Sequence, residues 1–142
     1  ATPFGLDVFA AAREASGVAT ITDVLVYHGS TDAPTVDVLE SSIPAGTLVD
    51  DISYADFQGY LSLTTADYEV QVRNGANSAI VAAYGAPLST LNLGGAAITV
   101  LALGFLDPAQ NSSGPAFGLF AATAAGGPLV PLPLDTIPTA RV

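Results

Sequence analysis

Between Thr22 and Glu40 two short β-branched runs flank a cluster of turn formers, and this arrangement limits the fold more than any other stretch of the chain. Val24, Val26 and His28 alternate with Leu25 and Tyr27, the period-2 pattern of a strand with two different faces. Gly29, Ser30, Thr31, Asp32 and Pro34 then interrupt it, because Gly admits positive φ, Asp bonds nearby backbone and Pro fixes φ. Val36 and Val38 resume the pattern with Asp37 pointing the other way. The stretch reads as strand, tight connection, strand.

The same grammar recurs along the chain. Thr47 to Ile52 is a strand ending near the Asp50–Asp51 pair, and Tyr54 to Tyr60 is aromatic but broken by Gly59, with Leu61 to Leu63 a short strand after it. In Asp67 to Arg73, Tyr68, Val70 and Val72 face one way while Glu69, Gln71 and Arg73 face the other. Asn74 to Ser78 is a hairpin loop, and Ala79 to Tyr84 is the return strand. Gly85 to Leu93 reads as an irregular connection. Ala96 to Phe105 is continuously apolar, as for a strand buried on both faces. Ala116 to Ala122 and Pro128 to Leu134 are the last strands. Near the start, Phe4, Leu6 and Val8 alternate as in a short strand, and Ala10 to Ala15 has the length of one helical turn. Helical periodicity is otherwise nearly absent. The expected fold is an all-β, immunoglobulin-like antiparallel β-sandwich with an additional N-terminal strand.

H-G-S-T-D-A-P-T-V-D-V, from His28, resembles the signature of an extracellular family known only as domain of unknown function four-three-nine-seven. F-Q-G-Y-L-S-L at Phe57 to Leu63 and Y-E-V-Q-V-R at Tyr68 to Arg73 are similar to two further segments of that family, and the similarity covers about residues 21–134. The resemblance implies a sandwich module of a secreted or surface protein of bacteria or archaea, often in tandem. It carries no catalytic residues.

Composition narrows the partners. Net charge is −10, with 13 acids against three Arg and no Lys, which argues against nucleic-acid and anionic-membrane surfaces. No apolar run approaches the roughly 18 residues of a membrane span. Absence of Cys removes disulfides, thiolate chemistry and Cys-based metal sites. The chain starts without Met, which reads as a mature, processed or excerpted protein.

An internal similarity straddles the ends. P-F-G-L-D-V-F from Pro3 resembles P-A-F-G-L-F from Pro115, and T-A-R-V at Thr139 to Val142 resembles the opening of the signature strand. The division expected is an N-terminal strand and linker over 1–20, a sandwich domain over 21–134 and an extension over 135–142. Phe4, Leu6, Val8, Phe9, Arg141 and Val142 are therefore candidate assembly residues. Their strand either augments its own sandwich or completes a neighbour's sheet, and head-to-tail donation of that kind builds an open polymer.

Other constellations are thin. His28 is the only histidine, no nucleophile-elbow motif occurs, and its plain role is to bond backbone, or Asp32, at a strand corner. Asp32, Asp37, Asp50 and Asp51 are the candidate cation ligands, since Ca²⁺ takes six to eight oxygens, but EF-hand spacing is absent; Asp32 reads more simply as the cap of the turn before Pro34. No cofactor is expected beyond what calcium those acids admit. The five tyrosines read as core or near-core and not as an exposed platform. Asn111-Ser112-Ser113 is a glycosylation sequon. The expectation is a non-enzymatic extracellular structural module, a subunit of a surface filament or tandem-repeat protein whose partners are copies of itself or neighbouring modules. An adhesin-like domain for a glycan or cell-surface ligand is the alternative.

Overall fold

The computed structural model describes residues 3–40, 47–74 and 79–136. Alternating β-branched and aromatic residues produce nine strands in chain order: β1 (Ile21–His28), β2 (Val36–Glu40), β3 (Thr47–Ile52), β4 (Phe57–Thr64), β5 (Asp67–Asn74), β6 (Ile80–Pro87), β7 (Ala97–Leu103), β8 (Gly118–Thr123) and β9 (Val130–Pro131). One 3-10 turn, Pro108–Gln110, lies between β7 and β8, and there is no α-helix among the described residues. Two sheets form, ordered β4-β1-β7-β8-β9 and β3-β2-β5-β6. They pack face to face as the sandwich that the alternation predicts.

Val24 and Val26 of β1, Val36 of β2, Val70 and Val72 of β5, Ile98 of β7 and Leu119 of β8 meet between the sheets, with Val49, Ile52, Tyr84 and Leu132 completing the core. Eight of these are β-branched, which suits a pleated surface where the stiff side chain loses little further entropy. A small apolar cavity of about 60 Å³ remains at the centre.

Four expectations change. The β1–β7 pair is parallel, from Asp23 opposite Ala97 to His28 opposite Ala102, because the connection after β6 crosses back to the first sheet before β7 begins. The strand β4 is continuous and Gly59 does not end it. Gly59 has φ +129°, and a Cβ there would stand 2.7 Å from the Val24 carbonyl oxygen, so glycine keeps β4 against β1 where their register shifts. Although β7 is central in its sheet, only Ala97, Ile98 and Ala102 are buried; Thr99, Val100, Leu101 and Leu103 are half-buried, so its outer face is incompletely covered. Residues 10–15 form a turn and a single bridge, Ala15 to Ala96, instead of a helical turn.

The N-terminal segment is the largest departure. Pro3 to Phe9 forms no strand and pairs with neither sheet. Its side chains hold it across the outer face of the β4-β1 pair and not along an edge, so its backbone finds no strand to ladder with. Augmentation of its own sandwich does not occur. Arg141 and Val142 lie outside the described residues.

Candidate functional site

The signature turn is a structural joint. His28 is buried, its Nε2 donates to the Pro34 carbonyl at 3.0 Å, and its Nδ1 accepts the Ser30 N–H at 3.3 Å. Both ring nitrogens are therefore engaged with backbone, as the sequence indicated. Ser30 Oγ donates to the Gly104 carbonyl at 2.7 Å, and Ser62 Oγ to Asp23 at 3.1 Å, so neither hydroxyl is oriented by the imidazole.

Asp32 does more than cap its own turn. Its carboxylate accepts the N–H groups of Leu106 and Asp107 at 2.8 and 2.9 Å, and the Asn111 amide at 3.1 Å. It thus ties the β1–β2 connection to the loop after β7. Burial pushes its carboxyl up, but the bonds from Asp107, Leu106 and Ser30 outweigh that and hold it below the ordinary aspartate value. The nitrogen of Asn111 that a glycan would occupy donates to Asp32 and to the Asp107 carbonyl, so a sugar there would break both bonds.

Of the four candidate cation ligands, the structure gathers three. Pairing of β2 with β3 brings carboxylate oxygens of Asp37, Asp50 and Asp51 within 4.8 Å of one another, with Asp37 buried and the other two exposed. Asp37 accepts the Asp51 N–H at 2.8 Å. The Asp51 charge, then burial, then Asp37 raise the Asp50 carboxyl above its usual value. Asp32 is not part of this group; its partners lie in the 106–111 loop.

The outer face of the five-stranded sheet carries a second arrangement that the sequence did not reveal. The N-terminal segment runs back along β1 as an arm. Arg13 donates to Asp23 at 3.0 Å and lies 4.5 Å above the Tyr60 ring, while its N–H donates to the Tyr60 hydroxyl at 2.6 Å. Asp23 is buried, so the guanidinium compensates a charge that would be costly alone. Phe9 packs on Phe57 and Tyr60 with ring centroids 5.3 and 6.0 Å apart. Farther on, the Tyr27 hydroxyl donates to the Asp7 carboxylate. Burial, then that bond and the Asp7 charge, push the Tyr27 phenol up to about 12.

These contacts use one face of the arm. Phe4, Leu6 and Val8, on alternate positions, are 92%, 82% and 80% exposed. Of the assembly candidates, Phe9 is thus a clamp on its own body, and the other three N-terminal residues form an uncovered apolar row. Beyond Tyr27, the same sheet face dips into a groove of about 560 Å³ walled by Leu103, Phe105, Pro115, Phe120, Leu129 and Pro131. No charged residue lines it.

A family model described as a domain of unknown function (DUF4397) matches residues 22–115, which span β1 to β7 and stop before β8 and β9. No curated protein and no solved structure matches the chain.

Proposed function

The chain belongs to the DUF4397 family of domains of unknown function, and on that premise we propose that it is a non-enzymatic structural module of the cell surface that assembles with copies of itself through its N-terminal arm. One observation carries the reading: an N-terminal arm clamped to its own sheet by Asp7, Phe9 and Arg13 while Phe4, Leu6 and Val8 stand in water. Single exposed apolar side chains are ordinary, but three in an alternating row on one free segment are a surface built to be covered.

Energetics set the form of the assembly. Burying Phe, Leu and Val side chains is worth roughly 1.5–3 kcal/mol each, so about 4.5–9 kcal/mol for the three. Joining two subunits costs about 4–15 kcal/mol of translational and rotational freedom. The row alone is marginal, so a durable polymer draws on further subunit contacts, for which Thr139 to Val142 is the candidate. An open head-to-tail arrangement gives a fibre.

Electron microscopy and sedimentation of the purified chain test this. Full-length protein should form fibres with a regular repeat. Deleting residues 1–12 retains Arg13 on Asp23 and should leave a folded, monodisperse domain. The variant Phe4→Ser/Leu6→Ser/Val8→Ser, which alters only side chains exposed in the single molecule, should do the same. Fibres from either variant would refute the reading, and monodisperse full-length protein would favour the adhesin-like alternative.

A further inference from the structure

We infer that the acceptor for the arm is the groove on the outer face of the five-stranded sheet of a second copy, with Phe4, Leu6 and Val8 seated against Leu103, Phe105, Phe120 and Leu129. This deepens the assembly reading above and rests on it.

Four observations meet here. First, the groove, at about 560 Å³, is of the size that holds small ligands, about 300–1,000 Å³, and its walls are uncharged and mostly apolar, with Thr31 among them. In a protein of net charge −10, that is a place where another copy can approach without facing acids. Second, the arm matches it chemically: residues 3–9 carry one charge, Asp7, and Tyr27 of the same molecule already bonds it. Third, the partner must be a second molecule. While Asp7 and Phe9 are held on their own sheet, Leu6 and Val8 point off the body and not into its own groove. Fourth, β9 is the outermost strand and contributes Pro131 to the wall, with no further strand beyond it among the described residues. The site therefore opens along a sheet end where an extended segment can lie.

The absence of cysteine makes a clean test. Oxidising the double variant Leu6→Cys/Leu129→Cys should give disulfide-linked species between molecules. Mixing Leu6→Cys with Leu129→Cys should give a heterodimer. The pair Leu6→Cys/Val81→Cys, which places the second thiol on the exposed end of β6 in the other sheet, serves as control and should stay monomeric. A ladder of linked multimers supports both the groove and the open polymer. Linked dimers that go no further support the groove but refute the fibre, since two copies would then exchange arms in a closed pair. Monomers with an internal disulfide, or crosslinking at Val81 and not at Leu129, would overturn the groove while leaving assembly to be judged by the truncation. The variant Leu129→Asp gives an independent readout: it should abolish assembly while leaving the melting midpoint within about 1 °C. Fibres persisting in it would also overturn the assignment.

Discussion

Replacing Asp32 by alanine should destabilise the protein by about 2 kcal/mol at neutral pH. The side chain accepts two backbone N–H bonds, from Leu106 and Asp107, and one from the Asn111 amide. Bonds to a charged acceptor are worth roughly 1.5–3 kcal/mol each where water is excluded. Here the loop is at the surface, water can reach the freed donors, and the closer guide is the helix N-cap, about 1 kcal/mol per carboxylate-to-amide bond. Two such bonds give about 2 kcal/mol, which for a chain of this length is roughly a 6 °C fall in melting midpoint. The pH dependence is a second, independent reading. Because the folded carboxyl lies below its ordinary value of 3.8, its contribution is complete above that value and fades as pH drops through the folded pKa. The gap between wild type and variant should therefore be constant from pH 8 to 5 and close below about pH 4. Urea or thermal denaturation at several pH values measures it. A gap under about 0.5 kcal/mol at pH 7, or one that widens in acid, would refute the role given to this residue.

Phe9→Ala should loosen the arm without unfolding the sandwich. With only three arginines and no lysine, trypsin reports this directly, and cleavage after Arg13 should speed up about tenfold, the equivalent of about 1.4 kcal/mol of lost ring packing. The difference between phenolate titrations of wild type and Tyr27→Phe should show one group ionising near 12; its stabilising effect is complete below pH 10 and lost as pH climbs towards 12, and a midpoint near 10 would contradict both the burial of this phenol and its bond to Asp7. The Asp37, Asp50 and Asp51 cluster is tested by melting in calcium and in chelator: a solvated acidic turn predicts equal midpoints, and a higher midpoint in calcium would make it a cation site.

The elements that could be read from sequence are those whose pattern is self-sufficient. Alternation alone placed β1, β2, β3 and β5, and it assigned Val70 and Val72 to the core and Gln71 to the opposite face. His28 was legible because a lone histidine at a strand corner has backbone within reach. Pro3 to Phe9 carries the same alternation, yet strand formation also requires a free edge at hand, and which edges the fold leaves open is not written locally. Asp32 misled for a related reason: its partners lie more than 70 residues away, in a loop that only the finished sheet brings alongside. The Arg13–Asp23 pair and the groove are likewise products of tertiary packing between segments distant in the chain. Signals for the arm did exist, since Asp7 and Phe9 share one parity while Phe4, Leu6 and Val8 share the other, but their meaning depended on a sheet face that the sequence does not display.

Hydrogen exchange of the arm in dilute and in concentrated protein tests most directly whether a second copy covers it. Its backbone pairs with neither sheet of its own molecule, so amides from Phe4 to Val8 should exchange at the rate of an open chain when the protein is dilute. On assembly they should slow by at least tenfold, together with those of Leu103 to Phe105 and Leu129 to Leu132 around the groove. Particles that assemble while Phe4 to Val8 continue to exchange freely would contradict the account.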